Sequence, residues 1–205
     1  MFHIVLWIYT LLLVSNSLYA DQGNGDAVRG KLKAIEERCV ECHGEDGNSV
    51  DVKTPNHAGQ IAGYLIKQLL NFQSGERKHE TMTIMAADLT ANDIDDIAAY
   101  FSGQKVMQGE GSIDNPLAGN LMLNGDQLRD LPACGSCHGE KGKGAVKNNV
   151  VYPVIGGQRK VYLFQQLQSW RMGERKNSPE GVMNKIAKSL QDEEIEALAD
   201  YLSRL

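Results

Sequence analysis

Cys39-Val40-Glu41-Cys42-His43 is the stretch on which the reading of this chain turns, and Cys134-Gly135-Ser136-Cys137-His138 is a second copy. Together they use all four cysteines of the chain. Cysteines three residues apart lie on one side of a single helical turn. Both thiols can then reach the two vinyl groups along one edge of a porphyrin, and the following His can hold the iron. A Cys-x-x-Cys-His run therefore reads as a c-type haem attachment site, and its duplication implies two covalently bound haems.

Three other readings compete. Two disulfides would each close a two-residue loop and leave both His residues unexplained. A thioredoxin-like dithiol needs a βαβ context, and none is visible. Zinc also takes Cys-x-x-Cys pairs, but Cys42 and Cys134 lie 92 positions apart, and each pair has its own His.

Working outward, the two motifs anchor a repeat that runs through both halves. Cys42, His43, Gly44 and Gly47 match Cys137, His138, Gly139 and Gly142 at an offset of 95. Pro55, Gly59, Gln60, Tyr64, Gln68, Leu69 and Gly75 to Lys78 match Pro153, Gly157, Gln158, Tyr162, Gln166, Leu167 and Gly173 to Lys176 at 98. Met82, Leu89, Ile94 and Tyr100 match Met183, Leu190, Ile195 and Tyr201 at 101. Kept order and spacing mark a duplicated domain. The expected boundaries are 21–104 for the first domain, 105–114 for a linker and 115–205 for the second. Domains of this size lie near the lower limit for a stable apolar core, so each would lean on its haem as a buried filler.

Each half reads as all-helical. Val28, Leu32 and Ile35 fall at helical spacing. Ile61, Tyr64, Leu65, Gln68, Leu69 and Phe72 form a longer stripe, with a partner through Tyr162, Leu163, Gln166, Leu167 and Trp170. Gly75 and Gly173 follow as stop signals. Thr90-x-x-Asp93 resembles a capping box before the last helix of the first half. Strand-like alternation is not evident.

Residues 1–20 stand apart. An apolar run from Phe2 to Leu13 fades through Ser15-Asn16-Ser17 to Ala20, the pattern of a secretory signal peptide. Its n-region has no Lys or Arg, and Leu18 is large for a cleavage site. An uncleaved anchor is the competing reading, although the run is shorter than the roughly 20 residues of a span. Export to the periplasm suits thiols that must be free for haem attachment. Loose membrane association is also open; no nucleic-acid partner is expected.

What faces each iron opposite its His decides between carrier and enzyme. With His43 and His138 assigned, the mature chain's remaining histidines are His57 and His79, both in the first half. Met is then the candidate, and the repeat pairs Met82 with Met183, whereas position 186, opposite Met85, is Ile. His and Met are the cytochrome c ligand set; the competing role for each Met is flexible core filling.

Over essentially its whole mature length the chain resembles the dihaem cytochrome c4 family. The carrying motifs are Cys39 to Gly44 with Asp46-Gly47-Asn48-Ser49, Ala58-Gly59-Gln60, and Met82 through Leu89-Thr90 into Asp95 to Phe101. In the second half they are Gly156-Gly157-Gln158, Met183, and Ile195 to Tyr201. The resemblance implies two class I cytochrome c folds about an approximate two-fold axis, each with a His/Met haem. It implies periplasmic electron transfer rather than catalysis, from a donor such as a quinol-oxidising complex towards a terminal oxidase. It further implies that the carbonyls of Pro55 and Pro153 accept the Nδ1 protons of the haem histidines, which would fix the tautomer and raise ring basicity; a plain turn proline is the other reading. Arg77-Lys78 and Arg175-Lys176 could meet haem propionates, although a solvated surface role is the preferred reading. The rivals in function are the haem subunit of a larger, flavocytochrome-like dehydrogenase and a dihaem peroxidase.

Charge is uneven. Residues 21–112 carry 9 basic and 15 acidic side chains, residues 113–205 carry 12 and 11. Glu36, Glu37, Glu41, Glu45, Asp46 and Asp51 cluster around the first haem motif.

Overall fold

Asp26 starts the first helix by accepting hydrogen bonds from the backbone N–H groups of Val28 and Arg29, the N-cap role that its short carboxylate suits. The structure, a computed structural model, describes residues 24–111 and 114–205; the leader read at 1–20 lies outside them. The first half contains α1 (Ala27–Glu36), α2 (Cys39–His43), α3 (Ala62–Ser74), α4 (Glu80–Ala86) and α5 (Ala91–Ser102). The second contains α6 (Pro116–Leu123), α7 (Cys134–His138), α8 (Lys160–Met172), α9 (Val182–Ser189) and α10 (Asp192–Ser203). Between α7 and α8 lie two short strands, β1 (Ala145–Lys147) and β2 (Val150–Tyr152).

Each half is therefore a small helical domain. In the first, α1 and α3 pack on α5 around Ala34, Leu65, Ile94, Ile97, Ala98 and Phe101. In the second, α6 and α8 pack on α10 around Ala118, Leu121, Leu190, Ile195 and Leu198. Thr90 and Asp93 form the full capping box at α5. Gly75 and Gly173 end α3 and α8 in the left-handed conformation, which costs glycine little.

Two local readings change. The Val28, Leu32 and Ile35 stripe does form a helix but points outward, at 74%, 65% and 49% exposure. The buried face of α1 is Gly30 and Ala34, whose small side chains let the helix lie close against α5. The second half also has a hairpin, whose strands are too short to show alternation. Ala145, Val146 and Lys147 pair antiparallel with Tyr152, Val151 and Val150, and Asn148 and Asn149 both have positive φ, 48° and 62°. That is the geometry of a two-residue I′ turn, which Asn tolerates.

An arginine–carboxylate pair ties the last helix of each domain to a segment ahead of its haem motif. The Arg29 guanidinium binds Asp96 at 2.7 and 3.0 Å. Arg129 binds Glu194 at 2.6 and 2.9 Å and Asp126 at 2.6 Å. The bond from Arg129 holds the Glu194 carboxyl below its ordinary range, although partial burial opposes this. A carboxyl depressed in the folded state stabilises the fold above its unfolded pKa, and that contribution is lost as pH falls through the folded value. We therefore expect the melting temperature to fall once pH drops below about 4.3, the unfolded glutamate value, and Glu194→Gln to flatten that acid limb. Thermal melts across pH 3–6 check this; an unchanged limb would show the pair to be neutral in this respect.

The two domains meet along a face with two-fold character. Gln60 donates to the Val154 carbonyl and accepts from its N–H, both at 2.9 Å. Gln158 donates to the Asn56 carbonyl at 2.9 Å and accepts from its N–H at 2.7 Å. All four residues are buried, so losing either glutamine side chain would strand a backbone pair at a cost of about 1–3 kcal/mol per group. The segment between the domains runs over this face. Met107 is 3% exposed and donates its N–H to the Ala58 carbonyl, while Gly109 and Gly111 donate to Leu205 and Arg204. Gly59 and Gly157 flank this segment, and a Cβ on them would sit 2.5 Å from Val106 and 2.8 Å from Met107 and Gln108.

Candidate functional site

Each haem motif forms one helical turn. Arg38, in the left-handed conformation, precedes α2, and Gly44 and Gly139, both at positive φ, release the chain after the His. All four thiols are free. Burial pushes the Cys39 and Cys134 thiols up to about 11. Among the described residues no group of three or more His, Cys, Asp or Glu side chains is arranged to hold a metal ion.

The histidines are held alike. His43 is 6% exposed. Its Nδ1 lies 2.9 Å from the Pro55 carbonyl, and that of His138 lies 3.0 Å from the Pro153 carbonyl. A carbonyl only accepts, so each Nδ1 carries the proton and each Nε2 is left with a free lone pair. Burial pushes both rings below the ordinary histidine range, against the pull of the proline carbonyls. A neutral, oriented imidazole with Nε2 free is the form that ligates iron.

His57 also belongs to this site. Its ring stacks on His43 with centroids 3.9 Å apart and planes 25° from parallel, and the Phe101 ring lies edge-on to it with centroids 5.5 Å apart. Burial, and then the adjoining His43, keep His57 well below the usual histidine range. The sequence leaves it as a spare histidine with no assigned role, because its repeat counterpart is Ile155.

Met82 lies in α4 and Met183 in α9, at equivalent places, and both are half-buried. The N–H of Met82 donates to His79 Nδ1 at 3.3 Å, and that of Met183 to the Ser178 hydroxyl at 3.2 Å. Met85 is half-buried too.

The arginines depart from their surface reading. Arg77 donates to Gln68, to the Tyr162 hydroxyl and to Gln166 at 2.8, 3.0 and 2.9 Å. Arg175 donates to Gln166, to the Tyr64 hydroxyl and to Gln68 at 2.6, 3.1 and 3.0 Å. They stack over Phe72 and Trp170. Burial would raise the Tyr64 phenol, but Arg175 and Arg77 outweigh it and hold it below the ordinary tyrosine range. Lys78 and Lys176 stay exposed. Among the described residues neither guanidinium has a carboxylate within 4.0 Å. The buried Arg159 Nε likewise lacks a hydrogen-bond partner. Buried cations without counter-charge are costly, and a cofactor bearing carboxylates would supply it. The donor sets, the free thiols and this uncompensated charge all fit a c-type haem in each half.

The comparisons agree. A family model for cytochrome c matches residues 27–105 and again 123–205. Cytochrome c4 of Pseudomonas aeruginosa is 34% identical over 97% of this chain and 98% of its own. A thiosulfate dehydrogenase electron acceptor of Stutzerimonas stutzeri is 33% identical over 95% and 91%. The crystal structure of reduced recombinant cytochrome c4 from Pseudomonas stutzeri superposes with a TM-score of 0.80 at 36% identity, covering 88% of this chain and 99% of that one. Repeat, fold, paired sites and relatives converge: the chain belongs to the cytochrome c4 family, as an electron-transfer protein of two cytochrome c domains with two covalently bound c-type haems.

Proposed function

We propose that this protein is a periplasmic carrier that takes electrons from a donor such as a quinol-oxidising complex and delivers them towards a terminal oxidase. Bound haem supplies one-electron ferric/ferrous chemistry at each site. In this reading Cys39 and Cys42, and Cys134 and Cys137, hold the haems through thioether bonds. His43 and His138 would each ligate one haem iron, and Met82 and Met183 would each supply the second protein ligand. The Pro55 and Pro153 carbonyls fix the histidine tautomers. The domains are taken as 21–104 and 115–205, joined by 105–114 and preceded by a signal peptide at 1–20. The observation that carries this reading is the pair of equivalent sites, each with a histidine oriented through Nδ1 by a proline carbonyl. Among the described residues no helix is long and apolar enough to cross a membrane.

A second reading has its own support. Similarity to a thiosulfate dehydrogenase electron acceptor over nearly the whole chain favours a role as the haem partner of a dehydrogenase. Purification from the native source separates the two: a carrier runs alone, a subunit runs with its dehydrogenase.

Partners should meet the two domains with different electrostatics. Glu41 is fork-bonded to Arg38 at 2.8 Å, and Asp96 is buried against Arg29. Glu36 and Glu37 share Lys33 at 2.7 and 3.7 Å, so with Glu45 they probe the long-range field through a reversal that also breaks that pairing. Steering of this kind changes association rates by roughly 10- to 10³-fold and is screened within about 8 Å at physiological salt. Stopped-flow electron exchange with a small basic redox protein is expected to slow steeply as salt rises. Reversing Glu36, Glu37 and Glu45 to Lys should flatten the slope. A salt-independent rate, or a slope untouched by the reversals, would leave the acidic excess as a solubility feature.

A further inference from the structure

The repeat breaks beside the haem histidines. Position 57 corresponds to 155, and a histidine in the first half becomes an isoleucine in the second. In the first half His43 is gripped twice: the Pro55 carbonyl takes its Nδ1 proton, and His57 covers one ring face at 3.9 Å. Phe101 backs His57 edge-on, so the covering ring is itself wedged. In the second half the Nδ1 grip is kept at 3.0 Å. The aromatic neighbour of His138 there is Tyr152, edge-on at 6.3 Å and 77°, while Ile155 packs with Met122, Leu163 and Leu202. The two sites thus share their ligand chemistry and differ in what lies against the ligand ring.

An imidazole that ligates ferric iron takes on part of the positive charge. The face of an aromatic ring attracts positive charge through its quadrupole, and an alkyl side chain does not. The near-parallel contact also limits rotation of the His43 plane. We propose that His57 is a positioning residue that stabilises the ferric state of the N-terminal haem through its stacked contact with His43, and so sets the two haems apart in reduction potential. This rests on the reading of His43 as an axial ligand.

The test uses the full-length holoprotein and three variants: His57→Ile, which copies the second domain, His57→Phe, which keeps a ring, and Ile155→His. The readouts are the two midpoint potentials, assigned to their domains by paramagnetic NMR, the ferric EPR g values and the melting temperature. His57→Ile is expected to raise the N-terminal potential and leave the C-terminal one in place. The equilibrium constant for sharing an electron between the haems should shift by about two- to tenfold towards the N-terminal site, the range of one stacked or cation–π contact. His57→Phe should stay near wild type, and Ile155→His should lower the C-terminal potential. If Ile155→His does not fold, the two His57 variants decide. A His57→Ile protein that melts earlier with both potentials and g values unchanged would reduce His57 to packing and overturn the proposal. An equal shift at both haems, or identical behaviour of the Ile and Phe variants, would overturn it too. Failure of the ligand reading shows differently, as wild-type protein without histidine-ligated low-spin haem in the first domain.

Discussion

Replacing Cys39 and Cys42 with alanine removes covalent haem from the N-terminal half and leaves it in the C-terminal half; Cys134→Ala with Cys137→Ala does the reverse. Haem staining of denatured protein should fall to about half of wild type in either variant, and the pyridine haemochrome count from two to one. The expectation follows from self-contained sites: each motif turn, each histidine and each proline carbonyl belongs to one domain. The shared face adds a stability effect. If the haem-free domain loosens, Gln60 and Val154, or Gln158 and Asn56, lose their exchanged hydrogen bonds. Each stranded backbone group then costs about 1–3 kcal/mol. The remaining domain should melt earlier than in wild type while keeping its thioethers. A wild-type protein that stains for no haem, or one cysteine pair whose loss removes both haems, would sink the assignment.

Methionine replacement gives the second large effect. Met82→Ala and Met183→Ala should each open one iron, so that ferrous protein binds one equivalent of carbon monoxide where wild type binds none. Ferric wild type should show the weak far-red Met-to-iron charge-transfer band, and each variant should lose the share belonging to its own haem. The potential of the altered site should fall, because methionine ligation raises it. Met85 is the control: it is as half-buried as Met82 and lies one helical turn further along α4. If Met85→Ala destroys the band and Met82→Ala leaves it, the N-terminal ligand is Met85.

Much of the molecule was legible because the haem motif and the helical stripes are local signals. Cys39 to His43 needs nothing beyond its own turn, and the stripe from Ile61 to Phe72 declares α3. The inter-domain face was not legible, for a specific reason. Tyr64, Gln68 and Arg77 recur as Tyr162, Gln166 and Arg175, but recurrence does not say whether a residue serves each domain separately or serves where the two copies touch. Here they touch, and two arginines read as solvated sit in the contact, Arg175 buried and Arg77 half-buried. The stripe of Val28, Leu32 and Ile35 misled in the opposite sense, since close packing through Gly30 and Ala34 turned the small face of α1 inward. The hairpin was announced by Asn148-Asn149, a turn signal set between two three-residue strands too short to show alternation. His57 carries no recurrence signal, because the two copies differ at its position.

The exchange of hydrogen bonds between Gln60 with Val154 and Gln158 with Asn56 is isologous: the same patch of each copy meets its own equivalent, as in a homodimer. Two separate domains joined this way would come apart on dilution. The segment through Met107 turns that association into an intramolecular one, governed by an effective concentration that linkers of this kind place in the millimolar range. The separation between the two redox sites is then independent of how much protein is present. The molecule can accept one electron and still offer its second site to the next partner at trace abundance.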